Sequence, residues 1–368
     1  MKKILMITNH SYMFWQFRRE VVSEIIARGN QVVLALPFGD RVEELQGLGC
    51  RMIDTPMDRR GVSPLDELKL MRQYRRILHA EKPDIVVTYS IKPNIYAGIA
   101  CRQLGIPCCI NVQGVGTAFQ TPGMSALVTA LYRAACRNAR VVFFENHPNA
   151  RMFREKRIMD GNRQVVLSGA GINLERYTPQ PYPNNDCVHF LFLGRVMREK
   201  GINELFSAVR RLHADGEKFH LDLLGFYEES YIDQVEDLTR LGICTFHGFQ
   251  TDTRPWYGAS DCVVLPSYHE GMSNVLLEAA AIGRPIITSD IPGCREAVDE
   301  GINGFTCPAK DADALYDTMK RFLTLTREQR EAMGQAGIAK MQAQFDKKQV
   351  VEKTLAAIFQ EAGHEAVH

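Results

Sequence analysis

The sequence has no cysteines at the spacing of metal or redox sites, and it has no long apolar run. Ten of its 368 residues are cysteines, but no two have the two-residue spacing that is typical of zinc sites and redox-active pairs. We therefore expect free thiols and a reducing, intracellular compartment. No unbroken apolar run reaches about 18 residues, so no segment is predicted to span a membrane, and any membrane contact would be peripheral. Residues 1–9 carry too few apolar residues for a signal peptide and are expected to contain the first strand.

Two patterns of catalytic proteins are also missing. A dinucleotide-dependent dehydrogenase would need Gly-x-Gly-x-x-Gly directly after a strand, and neither residues 8–17 nor residues 193–201 supply it. No pair of a nucleophile and its base stands out either. We therefore do not expect a dehydrogenase, and we expect no cofactor.

The charge is balanced over the whole chain but divided between its halves. The formal net charge of +1 comes from 44 Lys and Arg against 43 Asp and Glu. Up to Gly171 there are 24 basic and 14 acidic residues, a net +10, which leaves 20 and 29, a net −9, for the remainder. Either the first half meets an anionic partner, or the two halves attract each other.

Short apolar runs alternate with longer amphipathic segments, which is typical of βα units and a mostly parallel sheet. In the first half, strands are predicted at residues 4–8, 31–36, 51–55, 84–88, 107–112 and 140–144. In the second half, they are predicted at residues 188–193, 220–224, 243–247, 261–266 and 285–288. Residues 172–187 show no periodicity and are predicted to be a linker. We expect two doubly wound α/β domains, residues 1–171 and 188–345, and a C-terminal helix within residues 346–368 that could pack back on the first domain.

The densest set of chemically informative residues lies in residues 266–285. A strand is predicted to end where this segment begins, and a helix to start at Ser273 as its N-cap and to end at Gly283. Free amide groups and the positive end of the helix dipole would then face the loop, which suits a phosphate. Glu270 precedes the helix and Glu278 lies on it, roughly 7 to 8 Å beyond Ser273. The two carboxylates are predicted to reach hydroxyl groups on either side of a diphosphate.

With these residues, the chain resembles the family 4 retaining glycosyltransferases of the GT-B fold, particularly bacterial members that build capsular polysaccharide and O-antigen. The Glu270 to Glu278 spacing alone is a weak signal, but further motifs accompany it. These are Gly194-Arg195, Lys200-Gly201, Gly169-Ala-Gly-Ile-Asn173, and Thr288-Ser-Asp-Ile-Pro-Gly293 followed by Glu296. The resemblance covers essentially the whole chain. It implies two Rossmann-like, doubly wound domains facing each other across a cleft, the first binding the acceptor and the second the nucleotide sugar.

The resemblance implies a role for each residue of the donor site. Arg195 and Lys200 match residues that contact the nucleotide diphosphate in relatives. Glu270 is expected to contact hydroxyls of the transferred sugar, and Glu278 the ribose. The other residues expected to bind the donor are Gly194, His247, Gly248, Gly271, Met272, Ser273 and Asn274. A solvated basic turn is the alternative for the two cations, and an acid on the helix surface is the alternative for Glu278. An ordinary histidine at a strand end is an equal alternative for His247.

The side of the site expected to face the sugar and the acceptor departs from the family pattern. Many relatives carry a histidine in the loop that here spans residues 112–119, and this loop has none. The residues expected to face the sugar and the acceptor are Asn9, Gln113, Gly114, Gly116 and Thr117. Residues 9–18 lack the common Gly-Gly pair and form either a bulky loop facing the acceptor or, as we favour, a helix start that buries Phe14 and Phe17.

The resemblance also implies catalysis without a metal. In the front-face mechanism inferred for such enzymes, the departing phosphate oxygen takes the acceptor proton, so the enzyme supplies positioning and leaving-group electrostatics. Asp311 and Asp313 are similar to the metal-binding acids of other glycosyltransferases. They lie where a helix is predicted to begin, however, and acidic residues suit that position. We assign them no metal.

The expected function is transfer of a hexose or N-acetylhexosamine from a nucleotide diphosphate sugar to a lipid-linked saccharide in surface polysaccharide synthesis. UDP is the commonest donor nucleotide among similar proteins, which makes it the expected one by analogy. No nucleic-acid partner is expected. The alternatives are a nucleotide-sugar epimerase of the same fold, a glycosyltransferase with a soluble acceptor, and a non-catalytic carbohydrate or membrane adaptor. An adaptor would leave the combination of Arg195, Lys200, Glu270 and Glu278 unexplained.

A polyprenyl-diphosphate-linked acceptor would place the protein peripherally on the cytoplasmic face of the membrane. The positive charge of the first half is concentrated at Arg59 and Arg60, at Arg72, Arg75 and Arg76, and in residues 151–157. Anionic headgroups attract such clusters by about 1 kcal/mol per nearby cation. Aromatic and apolar residues in segments 12–15 and 119–124 are candidates for shallow insertion, with core packing as the simpler explanation for some of them.

Overall fold

The structure is a computed structural model that describes residues 1–58, 63–114, 119, 123–159 and 163–360. The chain divides into two compact units. The first comprises Met1–Ala170 and Gln349–His368, and the second comprises Gly171–Lys348. Residues 172–187, the predicted linker, contain no helix or strand and are grouped with the second unit. Within the described ranges, none of the helices is long and apolar enough to cross a bilayer.

The first unit is built on a parallel sheet of seven strands. They are β1 (Lys3–Ile7), β2 (Gln31–Leu36), β3 (Arg51–Asp54), β4 (Ile85–Tyr89), β5 (Cys108–Val112), β6 (Ala139–Phe144) and β7 (Gln164–Val166). Their spatial order is β3-β2-β1-β4-β5-β6-β7, with every pairing among them parallel. The order reverses between β1 and β4, and in such sheets ligands bind at the carboxyl ends of strands beside this reversal.

Helices cover both faces of this sheet. They are α1 (Ser11–Ala27), α2 (Val42–Gly47), α3 (Pro64–Glu81), α4 (Ile91–Leu104), α5 (Met124–Cys136) and α6 (His147–Glu155). Side chains of β1 alternate between the two faces, as expected for a strand. Leu5 and Ile7 belong to a core cluster shared with α3, α4 and α5, whereas Ile4 and Met6 belong to a cluster shared with α1.

The second unit repeats this architecture with six parallel strands. They are β8 (Val188–Leu193), β9 (Phe219–Leu224), β10 (Cys244–Phe246), β11 (Cys262–Leu265), β12 (Ile286–Ser289) and β13 (Gly304–Cys307), in the order β10-β9-β8-β11-β12-β13. The helices are α7 (Ile202–Ala214), α8 (Ile232–Arg240), α9 (Arg254–Ala259), α10 (Asn274–Ile282), α11 (Ala312–Leu323) and α12 (Arg327–Gln344). A last helix, α13 (Lys347–Phe359), places Val350, Leu355 and Ile358 in the α1-side core cluster of the first unit.

The two doubly wound parallel sheets confirm the predicted fold class. Each of the eleven predicted strands is present within one or two residues at either end. The prediction missed β7 and β13, since β7 has only three residues and β13 begins with Gly304 after a turn. In the first helix, Phe14 is buried in the core as favoured, but Phe17 is only half-buried.

Candidate active site

The carboxyl edge of the second sheet carries a loop, residues 266–273, which connects β11 with α10 and is called the donor loop here. As predicted, Ser273 is the N-cap of α10 and Gly283 its C-cap. The Ser273 side chain makes no capping hydrogen bond, and its backbone amide donates to the carbonyl of Gly293 at 2.8 Å. No N-cap side chain therefore satisfies the first-turn amides of α10, which is the arrangement that suits an anion at a helix start.

Lys200 and Glu270 meet at this loop. Lys200 ends a short 3₁₀ turn (Arg198–Lys200), and its ammonium group donates to Oε1 of Glu270. The same oxygen accepts a hydrogen bond from the Ser267 hydroxyl at 2.8 Å. The two charged side chains are 19% and 14% exposed, so water screens this ion pair only partly. The structure thus joins two residues that the sequence could place only at the same edge of the sheet.

Arg195 lies in the neighbouring loop that follows β8. Its guanidinium Nη1 is 3.7 Å from Oε1 of Glu228, and the side chain is 41% exposed. An exposed pair at this distance contributes little to stability. A hydrogen bond from the backbone amide of the preceding Gly194 to the carbonyl of Leu224, 2.9 Å long, holds this loop in place. Arg195 is therefore held at the carboxyl edge of the sheet with its charge open to solvent.

Two glycines allow neighbouring loops to approach the donor loop closely. A Cβ atom on Gly201 would lie 2.0 Å from the carbonyl oxygen of Pro266, and one on Gly293 would lie 2.5 Å from that of Gly271. Both glycines also have left-handed backbone angles, with φ of 73° and 89°. Any other residue at either position would push the donor loop away from Lys200 or from the loop before β13.

Glu278 is buried on α10, with 7% of the residue exposed. Its Oε2 accepts a hydrogen bond from the Tyr257 hydroxyl at 2.9 Å, and the Tyr177 hydroxyl is a second partner. Burial raises the pKa of Glu278 to about 7, although the two tyrosines and the charges of Arg176 and Lys347 act in the opposite direction. The carboxyl group is therefore costly to ionise here, which is more common at functional sites than elsewhere.

His247 follows β10 directly and has well-defined neighbours. Its Nε2 lies 2.7 Å from Oδ1 of Asp222, and its ring centroid lies 4.0 Å from that of Trp256. Asp222 also contacts Nδ1 of His189 at 3.1 Å. Burial acts to raise the pKa of Asp222, but the hydrogen bonds from the two histidines hold it below its ordinary value. Beside His247, the carbonyl of Gly248 accepts from the amide of Gly225 at 2.9 Å.

In the first unit, Asn9 lies at the carboxyl edge of the sheet where the strand order reverses. Its Oδ1 accepts a hydrogen bond from the Ser90 hydroxyl at 2.8 Å, which ties the loop after β1 to the loop after β4. Ser90 has a φ of 73°, an uncommon angle for a residue with a side chain. Gln113 and Gly114 follow β5 at the same edge. Two further predicted residues, Gly116 and Thr117, lie outside the described residues.

Sequence reasoning missed the residues that hold the predicted ones in place. Ser267 is only three residues from Glu270, so their contact could have been predicted from the sequence. The partners of Glu278, Tyr177 and Tyr257, are 101 and 21 residues away from it. Asp222, the partner of His247, lies on another strand. No spacing in the sequence connects these pairs.

The acidic pair at the start of α11 has structural roles. Asp311 is the N-cap, and its side chain accepts from the amide of Ala314 at 2.9 Å. Asp313 forms an ion pair with Arg211. In the part of the chain that the structure describes, no three or more His, Cys, Asp or Glu side chains are grouped so that they could hold a metal ion.

Family models match both units of the chain. Residues 3–146 match the model described as Glycosyl transferase 4-like, and residues 187–324 match Glycosyl transferases group 1. The lipopolysaccharide core biosynthesis glycosyltransferase LpsE of Rhizobium meliloti is 30% identical over 305 residues, covering 79% of this chain and 80% of that protein. The N,N'-diacetylbacillosaminyl-diphospho-undecaprenol alpha-1,3-N-acetylgalactosaminyltransferase of Campylobacter jejuni is 24% identical over 327 residues, covering 84% and 86%.

Solved glycosyltransferase structures share the fold over nearly the whole chain. A glycosyltransferase from Rickettsia africae ESF-5 matches with a TM-score of 0.80 at 18% identity, covering 98% of this chain and 99% of that one. Anabaena Alr3699/HepE in complex with UDP and glucose matches with a TM-score of 0.79 at 16% identity, covering 98% and 100%. At these identities the similarity establishes the fold alone, which is GT-B.

Proposed function

Because the chain belongs to the group 1 and 4-like glycosyl transferases, and is therefore a glycosyltransferase, we propose that it moves a hexose or N-acetylhexosamine to a lipid-linked saccharide in the synthesis of a bacterial surface polysaccharide. The proposed donor is a UDP-sugar, since a galactosyltransferase relative from Escherichia coli is named for UDP-Gal. The proposed acceptor is a polyprenyl-diphosphate-linked saccharide, since that relative and the one from Campylobacter jejuni are named for undecaprenol diphosphates.

The observation that carries this proposal is the position of Lys200 and Glu270 beside the start of α10. A donor diphosphate at this place would face the helix amides and the Lys200 ammonium group. In the present structure Glu270 is the anionic partner of Lys200. A bound diphosphate would take over that partner's place and leave the Glu270 carboxylate to accept hydrogen bonds from hydroxyls of the transferred sugar.

Charge stabilisation of the leaving group is the proposed source of the rate enhancement. As the bond from the sugar to the phosphate breaks, negative charge grows on the diphosphate, and Arg195 and Lys200 would stabilise that charge. Two side-chain cations can supply this stabilisation, so we propose a metal-independent reaction. The departing phosphate oxygen would accept the proton of the acceptor hydroxyl on the same face of the sugar, which retains the anomeric configuration.

Glu278 is proposed to bind the ribose of the nucleotide. A carboxylate has about four sites for accepting hydrogen bonds. The hydroxyls of Tyr177 and Tyr257 use part of this capacity. The remainder would accept a ribose hydroxyl, and the two tyrosines would fix the orientation of the carboxylate.

Removing each member of the Lys200–Glu270 pair tests the proposal. Lys200→Ala and Glu270→Ala are each expected to lower transfer by at least about 100-fold with an unchanged circular dichroism spectrum, because each removes an interaction with charge that develops in the transition state. Glu175→Ala and Lys348→Ala are the matched controls, since these residues form an exposed pair in the same unit at 2.8 Å with side chains 75% exposed. Near-normal turnover in both Lys200 and Glu270 variants would refute the site.

We also propose that the protein works peripherally on the cytoplasmic face of the membrane. A polyprenyl-linked acceptor is confined to the bilayer, so an enzyme of this function must reach the membrane surface. The first unit, with its excess of basic residues, supplies the charge that anionic lipids attract.

A further inference from the structure

The large apolar side chains that are exposed in the first unit all lie toward one edge of its sheet. Apart from Met1, those among the described residues are Met13, Phe38, Leu65, Leu68, Met124 and Leu127. Met13 lies in the first turn of α1, Phe38 lies just after β2, and the others lie in the first two turns of α3 and α5. Helices that connect parallel strands begin at the carboxyl edge of the sheet. All six apolar side chains therefore lie toward this edge.

On α3 the two exposed leucines lie on the same face as three exposed arginines. Leu65, Leu68, Arg72, Arg75 and His79 follow one another at intervals of three or four residues, so they share one face of the helix. Arg76 widens the stripe beside Arg75. The opposite face carries the buried residues Leu70, Tyr74, Ile77 and Leu78. The outer face of α3 thus carries two leucines near its start, beside the exposed pair of Asp66 and Lys69, and three arginines further along. It offers apolar side chains for insertion and cations for anionic headgroups.

Among the residues that the structure describes, the arginines of this stripe have no carboxylate as an ion partner. Arg72, Arg75 and Arg76 are exposed, and none of them forms an ion pair within the described part of the chain. Lys69, one turn earlier, is paired with Asp66 at 3.0 Å. Three positive charges on one helix face therefore depend on solvent, or on an external anion, for compensation.

The outer face of α5 is apolar. Met124 is 38% exposed and Leu127 is 60% exposed, and the small residue Ala130 follows them on the surface. The guanidinium of Arg133 is directed to the carbonyl groups of Lys156 and Arg157. Both α3 and α5 pack against α4, so the three helices form one layer. The exposed faces of α3 and α5 thus belong to the same side of the first unit.

We propose that this surface, defined by Leu65, Leu68, Arg72, Arg75, Arg76, Met124 and Leu127 and called the docking face, binds an anionic lipid bilayer. This inference deepens the proposed function, because it identifies the part of the protein that would meet the membrane carrying the acceptor. The leucine and methionine side chains would enter the boundary between headgroups and acyl chains, and the arginines would contact phosphate groups.

Charge favours a bilayer over a second copy of the chain as the occupant. In a two-fold symmetric dimer each subunit would present the same three arginines to the other, and these like charges would repel. A bilayer containing phosphatidylglycerol offers an extended negative surface to the same residues.

Two aromatic residues from the segments named as insertion candidates belong to the core instead. Phe14 is 3% exposed, and its ring meets that of Tyr89 at 5.4 Å between centroids. The ring centroid of Phe119 lies 6.0 Å from that of Tyr132 and 6.2 Å from that of Phe153. Insertion is therefore assigned to the exposed leucine and methionine side chains of α3 and α5. Arg59 and Arg60 lie outside the described residues.

Vesicle flotation tests the docking face. Vesicles of phosphatidylcholine alone and vesicles of equal parts of phosphatidylcholine and phosphatidylglycerol would be mixed with the whole protein at low salt and at about 0.5 M salt. The wild type is expected to float with the anionic vesicles at low salt. Arg72→Gln/Arg75→Gln/Arg76→Gln is expected to weaken this partitioning on the order of 100-fold, at about 1 kcal/mol per cation. Leu65→Glu/Leu127→Glu is expected to abolish it.

A matched control comes from the second unit. Leu241 and Ile302 are exposed to similar degrees, 49% and 61%, so Leu241→Glu/Ile302→Glu should float like the wild type. Thermal melts would verify that each variant is folded. If the docking-face variants float as well as this control, or if the wild type ignores anionic vesicles, the assignment is wrong. A dimer detected by light scattering that Leu65→Glu/Leu127→Glu dissociates, without vesicle binding by the wild type, would also overturn it.

Activity assays separate failure of this inference from failure of the proposed function. Release of UDP from a UDP-sugar with a water-soluble acceptor reports the chemistry without a membrane. The docking-face variants are expected to keep this activity and to lose transfer to a polyprenyl-linked acceptor in vesicles. Absence of transfer from every nucleotide sugar, in a wild type that floats normally, would refute the proposed function and leave the docking face supported.

Discussion

Replacing Glu278 by Gln should make the protein more stable at alkaline pH, although it removes a residue that is proposed to bind the ribose of the donor. In the folded chain, burial raises the pKa of this carboxyl group from 4.5 to about 7. In the unfolded chain the group is exposed to water and ionises at its ordinary pKa. Folding must therefore either keep a proton on Glu278 or bury a negative charge.

The sign and size of the effect follow from this difference. Below about pH 4.5 the carboxyl group is protonated in both states, so it adds no pH dependence. Between about pH 4.5 and 7 the unfolded chain releases the proton and the folded chain keeps it, so the free energy of unfolding decreases as pH rises. Each unit of difference in pKa between the folded and the unfolded chain corresponds to about 1.4 kcal/mol. The free energy of unfolding is therefore lower by about 3 kcal/mol in total above pH 7.

Gln cannot ionise, so the free energy of unfolding of the variant does not decrease in this way as the pH rises. The free energy of unfolding would be measured by urea denaturation for the wild type and for Glu278→Gln, at about pH 5 and about pH 8.5. The difference between the two proteins should change in favour of the variant by about 2 to 3 kcal/mol between these pH values, because the wild type has already lost a part of the total at about pH 5. Subtracting the difference at about pH 5 from the difference at about pH 8.5 removes any effect of the substitution that is the same at both pH values. A protonated carboxyl group and an amide are also similar in shape, so the substitution changes the packing little.

An exposed glutamate of the same unit is the control. Glu331 has a side chain that is 44% exposed, and Glu331→Gln should show no such change with pH. A stability difference between Glu278→Gln and the wild type that stays constant from acid to alkaline pH would refute the reasoning. In that case Glu278 would ionise in the folded protein as readily as in the unfolded chain.

Three further predictions follow from the site. Tyr257→Phe removes a hydroxyl that donates to Glu278 and lowers the pKa of that carboxyl group. In this variant, the loss of stability with rising pH should therefore continue to a higher pH than in the wild type, as measured by the same urea denaturation. Gly201→Ala should lower the free energy of unfolding by more than about 1 kcal/mol because of the clash with Pro266, whereas Gly216→Ala, which has a similar φ and no atom within 4 Å of its added Cβ, should cost less. Proton NMR of the freshly formed product should show an α linkage from an α-configured donor, at a rate that a chelator leaves unchanged; a β linkage would contradict retention.

Most of the fold could be predicted from the sequence because it depends on local patterns. Buried parallel strands are short apolar runs, and they alternate here with amphipathic helices that end near glycines. β8, for example, was predicted with the bounds that the structure has, Val188–Leu193. The same reasoning fails for β7, which has three residues and pairs only with β6 at the edge of its sheet. Such a strand depends on the sheet it joins more than on its own sequence.

The ends of α10 could be predicted from the sequence for a different reason. Ser273 and Gly283 bound α10 through chemistry that acts within one helical turn, so the position of Glu270 before the helix and of Glu278 on it follows from the sequence. What surrounds these two carboxylates depends on residues from other elements. The tyrosines that contact Glu278 come from α9 and from the segment before β8, and no periodicity relates them to α10.

The Lys200–Glu270 pair shows why charge partners are harder to predict than helix ends. Topology places both residues at the carboxyl edge of one sheet, beside β8 and β11, which are neighbours in the strand order. Several other charged residues lie at the same edge, including Arg195 and Glu228, and a sequence does not determine which of them pair. That choice depends on close backbone contacts, such as the one between Gly201 and Pro266, which bring the Lys200 turn against the donor loop. Glycine at position 201 is therefore as much a part of the site as the charges, although it contributes no functional group to it.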